Sequence, residues 1–481
     1  MMISVKTTNT IYSKNGMTIR HLALFFSLFL IMPALFGRTV SVIGFGAKAD
    51  GVSLDTKAVQ AAIDACTKSG GGKVVIPAGK TVLVGTLFLK SHVTLYLENG
   101  AVLRGSPNIA DYAGNTHKNM YKNEAHMNKC LIYAEGAESF AIEGYGTIDG
   151  NGYPEHFTAK VGRPMLMRFK DCRDIHLRNV RLINPAAWVS AWLYCRDIFV
   201  EGIRIHSRVN KNGDGLDFDG CQNVMVSDCS FDTSDDCICL QASRPDIPCS
   251  NIVITNCVFK TKWAGMRIGL LSRGNFESVT VTNCTFTDIQ DSGLKIQLNE
   301  GGTMKNMVFS NLVMKNVPRP VFMTFCRQRA GVDSPEEMLP MKSMQNFIFS
   351  NIIADNRDLD KNSAFFITGL PGHNIENVRF TNIQFFVSGG GSKEDAEREN
   401  LNEYTPEVLK GWWPEFSLIG TLPASGFYAR HVDGLQIDNF QLFVSTTDER
   451  PPVVFDDVRH GVVSNAYRNH EMITEESLNR K

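Results

Sequence analysis

Ile252–Phe259 reads IVITNCVF, and 27 residues further on Val279–Phe286 reads VTVTNCTF. Each stretch alternates apolar and polar residues with period two, breaks at an asparagine, and resumes the alternation, which is the pattern of two short strands joined by a tight bend. Asparagine suits such a bend because its short amide tolerates left-handed backbone and bonds locally. The same phrase recurs with its anchor at Asn179, Gly202, Asp228, Asn256, Asn283, Asn311, Asn351, Asn382 and Asn439, in steps of 23, 26, 28, 27, 28, 40, 31 and 57 residues. One structural unit is therefore stacked on itself, with insertions in the longer steps. Coils of about 22–30 residues built only of strands predict an all-β, right-handed parallel β-helix, with neighbouring strands about 4.8 Å apart. The competing solenoid, a leucine-rich repeat, has a shorter period and alternates strand with helix.

Repeat folds add coils to one core, so the 481 residues read as a single long domain over 38–481. The formal charge of −1, from 49 Lys+Arg against 50 Asp+Glu, excludes the bulk basicity of a nucleic-acid binder. Residues 1–37 read as a secretory signal peptide: Lys14 and Arg20 precede an uncharged run from Leu22 to Gly37, with Met17 an alternative start. The run is short for a membrane span, so stable membrane insertion is not expected, whereas a secreted or periplasmic location is. Oligomeric state is not legible.

Of the 12 cysteines, Cys229, Cys257 and Cys284 each follow a repeat anchor, where other repeats carry Leu312, Ile352, Ile383 and Phe440. They are expected as a stacked apolar column and not as disulfides. Cys237 and Cys239 should share one face of a strand. No His-rich partner motif accompanies them, so no metal and no organic cofactor is expected.

A helix should cap the open N-terminal end of the stack over Asp55–Thr67, where Ala58, Ala61, Ala62 and Ala65 fall at helical spacing. Two insertions interrupt the later coils, at about 327–344 and 388–425. The second begins with a glycine run ending at Gly391 and holds Gly411–Glu415, GWWPE. A loop of that length is usually functional or disordered, and the tryptophan pair argues for order. Trp412 and Trp413 are placed either on a sugar face or in a contact closing the loop over the solenoid.

Chemistry concentrates in Asn212–Asp217, NGDGLD, and Ser234–Ile238, SDDCI. Asp214 and Asp235 are 21 residues apart, about one coil, so with Asp236 they should converge on adjacent rungs. Like charges held that close do not all ionise normally, and one proton tends to stay. That suits glycoside hydrolysis, where one carboxylic acid protonates the leaving oxygen and a carboxylate activates water or attacks carbon. A calcium site or a solvated Asp-rich bend fits the spacing equally well.

These two motifs, in this order and at this separation, resemble the NTDGxD and GDDCI elements of the polygalacturonase family, glycoside hydrolase family 28. The resemblance runs from Phe45–Gly51 to the last coil and implies a β-helix that cleaves pectic galacturonan or rhamnogalacturonan with inversion. It implies Asp235 as general acid and Asp214 and Asp236 as the groups that activate water. Two further family elements are altered. The family's GHG reads Trp263-Ala264-Gly265, so Ala264 replaces a histidine that supports the carboxylates, and the family's RIK reads Lys295-Ile296-Gln297, where an Arg/Lys pair would grip a uronate carboxylate. The expected sugar contacts are therefore Asn212, Asp217, Arg267, Lys295, Gln297 and Arg327, with Arg329 and Trp263 beside them. Two competitors stand: a β-helix polysaccharide lyase that uses the acidic cluster to hold calcium, and a non-catalytic glycan-binding β-helix.

Overall fold

The computed structural model describes residues 38–118, 122–327, 338–474 and 478–480. The leader expected over 1–37, Arg329 and the middle of the 327–344 insertion lie outside the described residues.

Three files of short strands run the length of the molecule, each strand paired with its counterpart one coil away. Among the described residues the pairings are parallel, apart from a small terminal hairpin between Tyr467–Arg468 and Glu471–Met472 and an isolated antiparallel bridge between Leu370 and His373. Successive parallel coils of this kind wind right-handedly. Apolar side chains of all three files meet in one continuous core. Within it like stacks on like: Phe231, Phe259 and Phe286 follow one another at 5.1 and 4.7 Å between ring centroids, and Phe309, Phe349 and Phe380 at 5.0 and 4.5 Å. The column of Cys229, Cys257 and Cys284 runs beside the first stack. All 12 cysteines are buried and unbridged, and the expected column, not a disulfide framework, is what the fold contains.

All nine repeat anchors adopt the left-handed conformation, with φ between 52° and 65°. Their amides form a ladder: Asn311 Nδ2 donates to Asn283 Oδ1 at 3.0 Å, Asn351 to Asn311 at 2.9 Å, Asn382 to Asn351 at 3.0 Å and Asn439 to Asn382 at 2.9 Å. A second ladder, not read from the sequence, lines the preceding bend, where Asn251 donates to Asn223, Asn346 to Asn306 and Asn377 to Asn346. Each bend thus satisfies side chains that would otherwise strain the backbone for nothing.

The N-terminal cap is a helix over Thr56–Lys68. Its buried face is Val59, Ala62, Ile63 and Cys66, not the four alanines read from the sequence; Ala61 faces solvent. The larger side chains of the same helical period bury more apolar area and set the face. Asp55 makes no cap bond to the helix and instead accepts from the backbone N–H groups of Lys48 and Ala49 at 2.9 and 2.8 Å, tying down the entering loop.

The 388–425 insertion is ordered, with short helices at Lys393–Ala396 and Pro406–Leu409. It packs a separate apolar cluster of Leu401, Tyr404, Leu409, Phe416, Ile419 and Leu422 against Phe322, Phe366, Tyr428 and Val454 on the outer face of one strand file. That file carries the acidic motifs.

Candidate active site

Strands Leu216–Asp219, Ile238–Ala242, Ala264–Ser272, Ser292–Leu298 and Arg319–Phe325 lie side by side on this face. Their register aligns Asp217 with Cys239, Arg267, Lys295 and Phe322 in one outward-pointing row. Period-two alternation places every member of the row on the face away from the core. The acidic residues enter from the bends just before these strands.

Asp214 and Asp236 are buried, and Asp235 is half-buried. The coils are locked together where Gly215 N–H donates to the Asp236 carbonyl at 2.9 Å. Asp236 is held by three donors. Its Oδ1 accepts from Ala264 N–H at 3.0 Å, and its Oδ2 accepts from Arg267 at 3.3 Å and from the Cys239 thiol at 3.6 Å. The support expected from a histidine at position 264 is thus supplied by that residue's own backbone and by Arg267.

Asp235 differs in kind. Burial, with the neighbouring Asp236 charge adding to it, pushes its carboxyl up to about 7, against the pull of Arg267 and Lys295. Its backbone is fixed by Thr233 and Thr261, whose hydroxyls both donate to the Asp235 carbonyl. The raised carboxyl of Asp235 therefore sits next to a side chain that is held by three donors.

The exchange of glycine and side chain between the two motifs has a steric cause. A Cβ on Gly213 would lie 2.3 Å from Ser207 Oγ and 2.5 Å from Ser234 Oγ, so a threonine there has no room. Ser234 fills the space instead, accepting from Gly213 N–H at 3.1 Å and donating to the Asn210 carbonyl at 2.8 Å. The two departures compensate each other across adjacent coils.

Around the triad lies a cavity of about 140 Å³ lined by Trp188, Asn212, Gln241, Trp263, Arg267 and Leu270, with Trp413 and Glu415 from the insertion. Arg267 faces it, over the Trp413 ring at 5.7 Å. Asn212 lines it and accepts from Arg163 at 2.7 Å. The insertion closes one side. On the other, Met127, Tyr133 and Met165 pack with Trp188, Leu270 and Leu271 over the earlier strands.

Four expected sugar contacts are placed differently. Lys295 is fully buried and paired with Asp291 at 3.0 Å and with Glu415. Gln297, equally buried, donates to the Pro414 carbonyl at 2.7 Å and accepts from Arg267 at 3.0 Å. Both are consumed by the insertion. Asp217 lies behind the cavity in a crevice with Arg168, Trp188 and Asp219. Arg327 donates to the Leu339 carbonyl at 2.8 Å and joins the two insertions away from the triad. Cys237 and Cys239 do not share a face, because the strand begins at Ile238: Cys237 packs in the core and Cys239 beside Asp236.

Glu415, Trp188 and Gln241 were not read from the sequence as site residues. For Glu415 the only signal was its place in GWWPE, with nothing in the repeat to say which coil the loop returns to. Donor atoms of Asp214, Asp236 and Cys239 lie within 4.8 Å of one another. Calcium takes six to eight oxygens, and a buried thiol with two carboxylates, one already bonded to arginine, does not suit it.

Residues 66–328 match the sequence model of glycosyl hydrolases family 28. A probable polygalacturonase of Vitis vinifera is 26% identical over 378 residues, covering 74% of this chain and 76% of its own. An exo-poly-alpha-D-galacturonosidase of Dickeya chrysanthemi is 27% identical over 442 residues, covering 78% of this chain and 71% of its own. Among solved structures, a family 28 exopolygalacturonase of Yersinia enterocolitica superposes with a TM-score of 0.65 at 22% identity, over 93% of this chain and 78% of that one. At that identity the likeness concerns the fold.

Proposed function

The chain belongs to glycosyl hydrolase family 28, and from that premise we propose that it removes units from the ends of pectic chains, with Asp235 as general acid and Asp214 and Asp236 as the groups that activate water. The observation that carries this is the inequality of the carboxyls: Asp235 keeps its proton to about pH 7 while Asp236 is held by three donors. Asp235 protonates the glycosidic oxygen as its bond to the anomeric carbon breaks. A water on the opposite face attacks that carbon and passes a proton to Asp214 or Asp236. The product carries the inverted configuration, and Asp235 regains its proton from solvent.

End-on action is supported by the packed segments on both sides of the cavity, the insertion on one and Met127, Tyr133 and Met165 on the other. Its volume, about 140 Å³, is below the ~300–1,000 Å³ of sites that take larger ligands. The name of the exo-acting Dickeya chrysanthemi relative points the same way. The basic and apolar segments ahead of Arg38 support export to the periplasm or medium. No helix among the described residues is long and apolar enough to cross a membrane.

The test is a panel of pectic oligosaccharides, with products followed by reducing ends, ultraviolet absorbance and the NMR signals of the new anomeric centre. Monomer or dimer release with inverted configuration and no absorbance is expected. An unsaturated, absorbing product would mean a lyase, and retained configuration would overturn the role given to Asp214 and Asp236.

A further inference from the structure

Two cations of this site, Arg267 and Lys295, stand side by side in register on adjacent strands. Such a pair is what a uronate carboxylate would need beside the scissile bond. Here a carboxylate of the protein already occupies the position. Glu415 Oε2 pairs with Lys295, and Glu415 Oε1 lies 3.8 Å from Arg267.

Glu415 is built into this place. The Tyr404 hydroxyl donates to its carbonyl at 3.1 Å, and the carbonyl of Pro414 before it accepts from Gln297 at 2.7 Å. Phe416 after it is wedged edge-on against Phe322 and Phe366 at 6.1 and 5.5 Å, with the Arg319 guanidinium 4.7 Å from its ring. Tyr404, Gln297, Pro414, Phe416, Phe322 and Phe366 are buried, and Glu415 and Arg319 are partly so. The remaining charges are spent as well: Asp291, kept ionised by Lys295 and Arg319 despite its burial, pairs with both at 3.0 and 3.2 Å. Arg267, Lys295 and Arg319 thus face Asp236, Asp291 and Glu415, which leaves no surplus positive charge at this end. Arg163 belongs to the other end, beside Asn212.

We infer that Glu415 is a built-in substitute for a substrate carboxylate, and that the sugar seated against Arg267 and Trp413 is one without a negative charge at C6. This rests on the pectic reading above and names its substrate class. A second carboxylate brought here would meet Glu415 at close range with no cation left to share. An uncharged sugar meets instead the Trp413 ring and the polar edge of Arg267. Two kinds of sugar satisfy the requirement, a neutral hexose or deoxyhexose and a methyl-esterified uronate.

The experiment compares three oligosaccharides of equal length, one with free carboxylates, one methyl-esterified and one carboxyl-reduced, on wild type, Glu415→Gln and Glu415→Asp. Wild type should favour both uncharged forms over the free acid by at least about tenfold in kcat/KM, and Glu415→Asp should keep that order. Glu415→Gln should shrink the ratio at least about tenfold through a lower KM for the free acid. Preference for only one uncharged form assigns the source. Equal use of free acid and uncharged forms by wild type, or an unchanged ratio in Glu415→Gln, overturns the inference. Calorimetry with galacturonate alone reads it even if nothing is cleaved. Binding tightened at least about tenfold in Glu415→Gln supports it, and equal binding sinks it. Cleavage of none of the three would count against the pectic reading instead.

Discussion

The bend that carries the asparagine ladder and the face that carries the carboxylates are made by the same coils, yet they obey different rules. Along the ladder each coil repeats its neighbour, with the same residue, the same left-handed backbone and a bond of 2.9–3.0 Å to the next amide. Along the outer face the residues in register are Asp217, Cys239, Arg267, Lys295 and Phe322, no two alike. Repetition supplies stability because every contact is made many times. Function occupies the one side where the repeat is allowed to fail and where an insertion is needed to complete the arrangement.

The sharpest way to separate the two is to remove the proton donor. Asp235→Asn should lower turnover by at least about two orders of magnitude with the melting temperature little changed. Asp214→Asn and Asp236→Asn should be comparably damaging, and the double variants should not be worse in proportion, because the groups act as a unit. Steady-state rates with a thermal melt on each variant read both quantities. Near-normal turnover in Asp235→Asn would break the division between face and ladder.

The reciprocal change on the ladder is Asn351→Ala. It removes two side-chain bonds, each worth about 1 kcal/mol, and leaves a Cβ residue at φ 55°, a further ~1–2 kcal/mol. A loss of about 3 kcal/mol in denaturant stability is expected, with turnover per folded molecule unchanged. Asn351→Gly should lose less, because glycine keeps the backbone unstrained.

What could be read in advance divides along the same line. The asparagine bends, the β-helix and the cysteine column were legible because they repeat, and a repeat tests itself against its next copy. Asp214, Asp235 and Asp236 were legible because their spacing is one coil. Arg267 was legible as a cation but not as the partner of Asp236, which depends on which way the strand alternates after the bend. Lys295 and Gln297 were misread as sugar contacts because their partner, Glu415, is 120 residues from Lys295, and no local pattern reports so distant a contact.

A smaller effect follows from the raised carboxyl of Asp235. In the proposed reaction Asp235 acts in its acid form, and because its folded value is raised to about 7, the alkaline limb of the activity profile should fall as pH rises through that value. Arg267 pulls the value down, so Arg267→Gln should move the alkaline limb to higher pH, in addition to any loss of rate. A pH–rate profile in which that limb stays in place would remove Arg267 from the electrostatics of Asp235.

The smallest effect is expected from restoring the family's own residues. Lys295→Arg with Gln297→Lys should change cleavage of free-acid galacturonan by less than about threefold while Glu415 remains, since the new charges meet a carboxylate already in place. Adding Glu415→Gln to that pair should release the effect, and kcat/KM on polygalacturonate measures it. A large gain from the pair alone would show that Glu415 yields its position to substrate.

The insertion leaves the solenoid after Val387 and returns by Phe427, and the strands on either side, Ile375–Val387 and Phe427–Val444, are hydrogen-bonded neighbours. Lengthening or replacing such an excursion disturbs no coil, and the entropy of closing it grows only slowly with its length. One surface segment can therefore be exchanged for another without moving Asp214, Asp235 or Asp236, which lie on earlier coils. On the proposed reading, the segment that selects the sugar and the carboxyls that act on it belong to separate stretches of the chain, and the first can change length without moving the second.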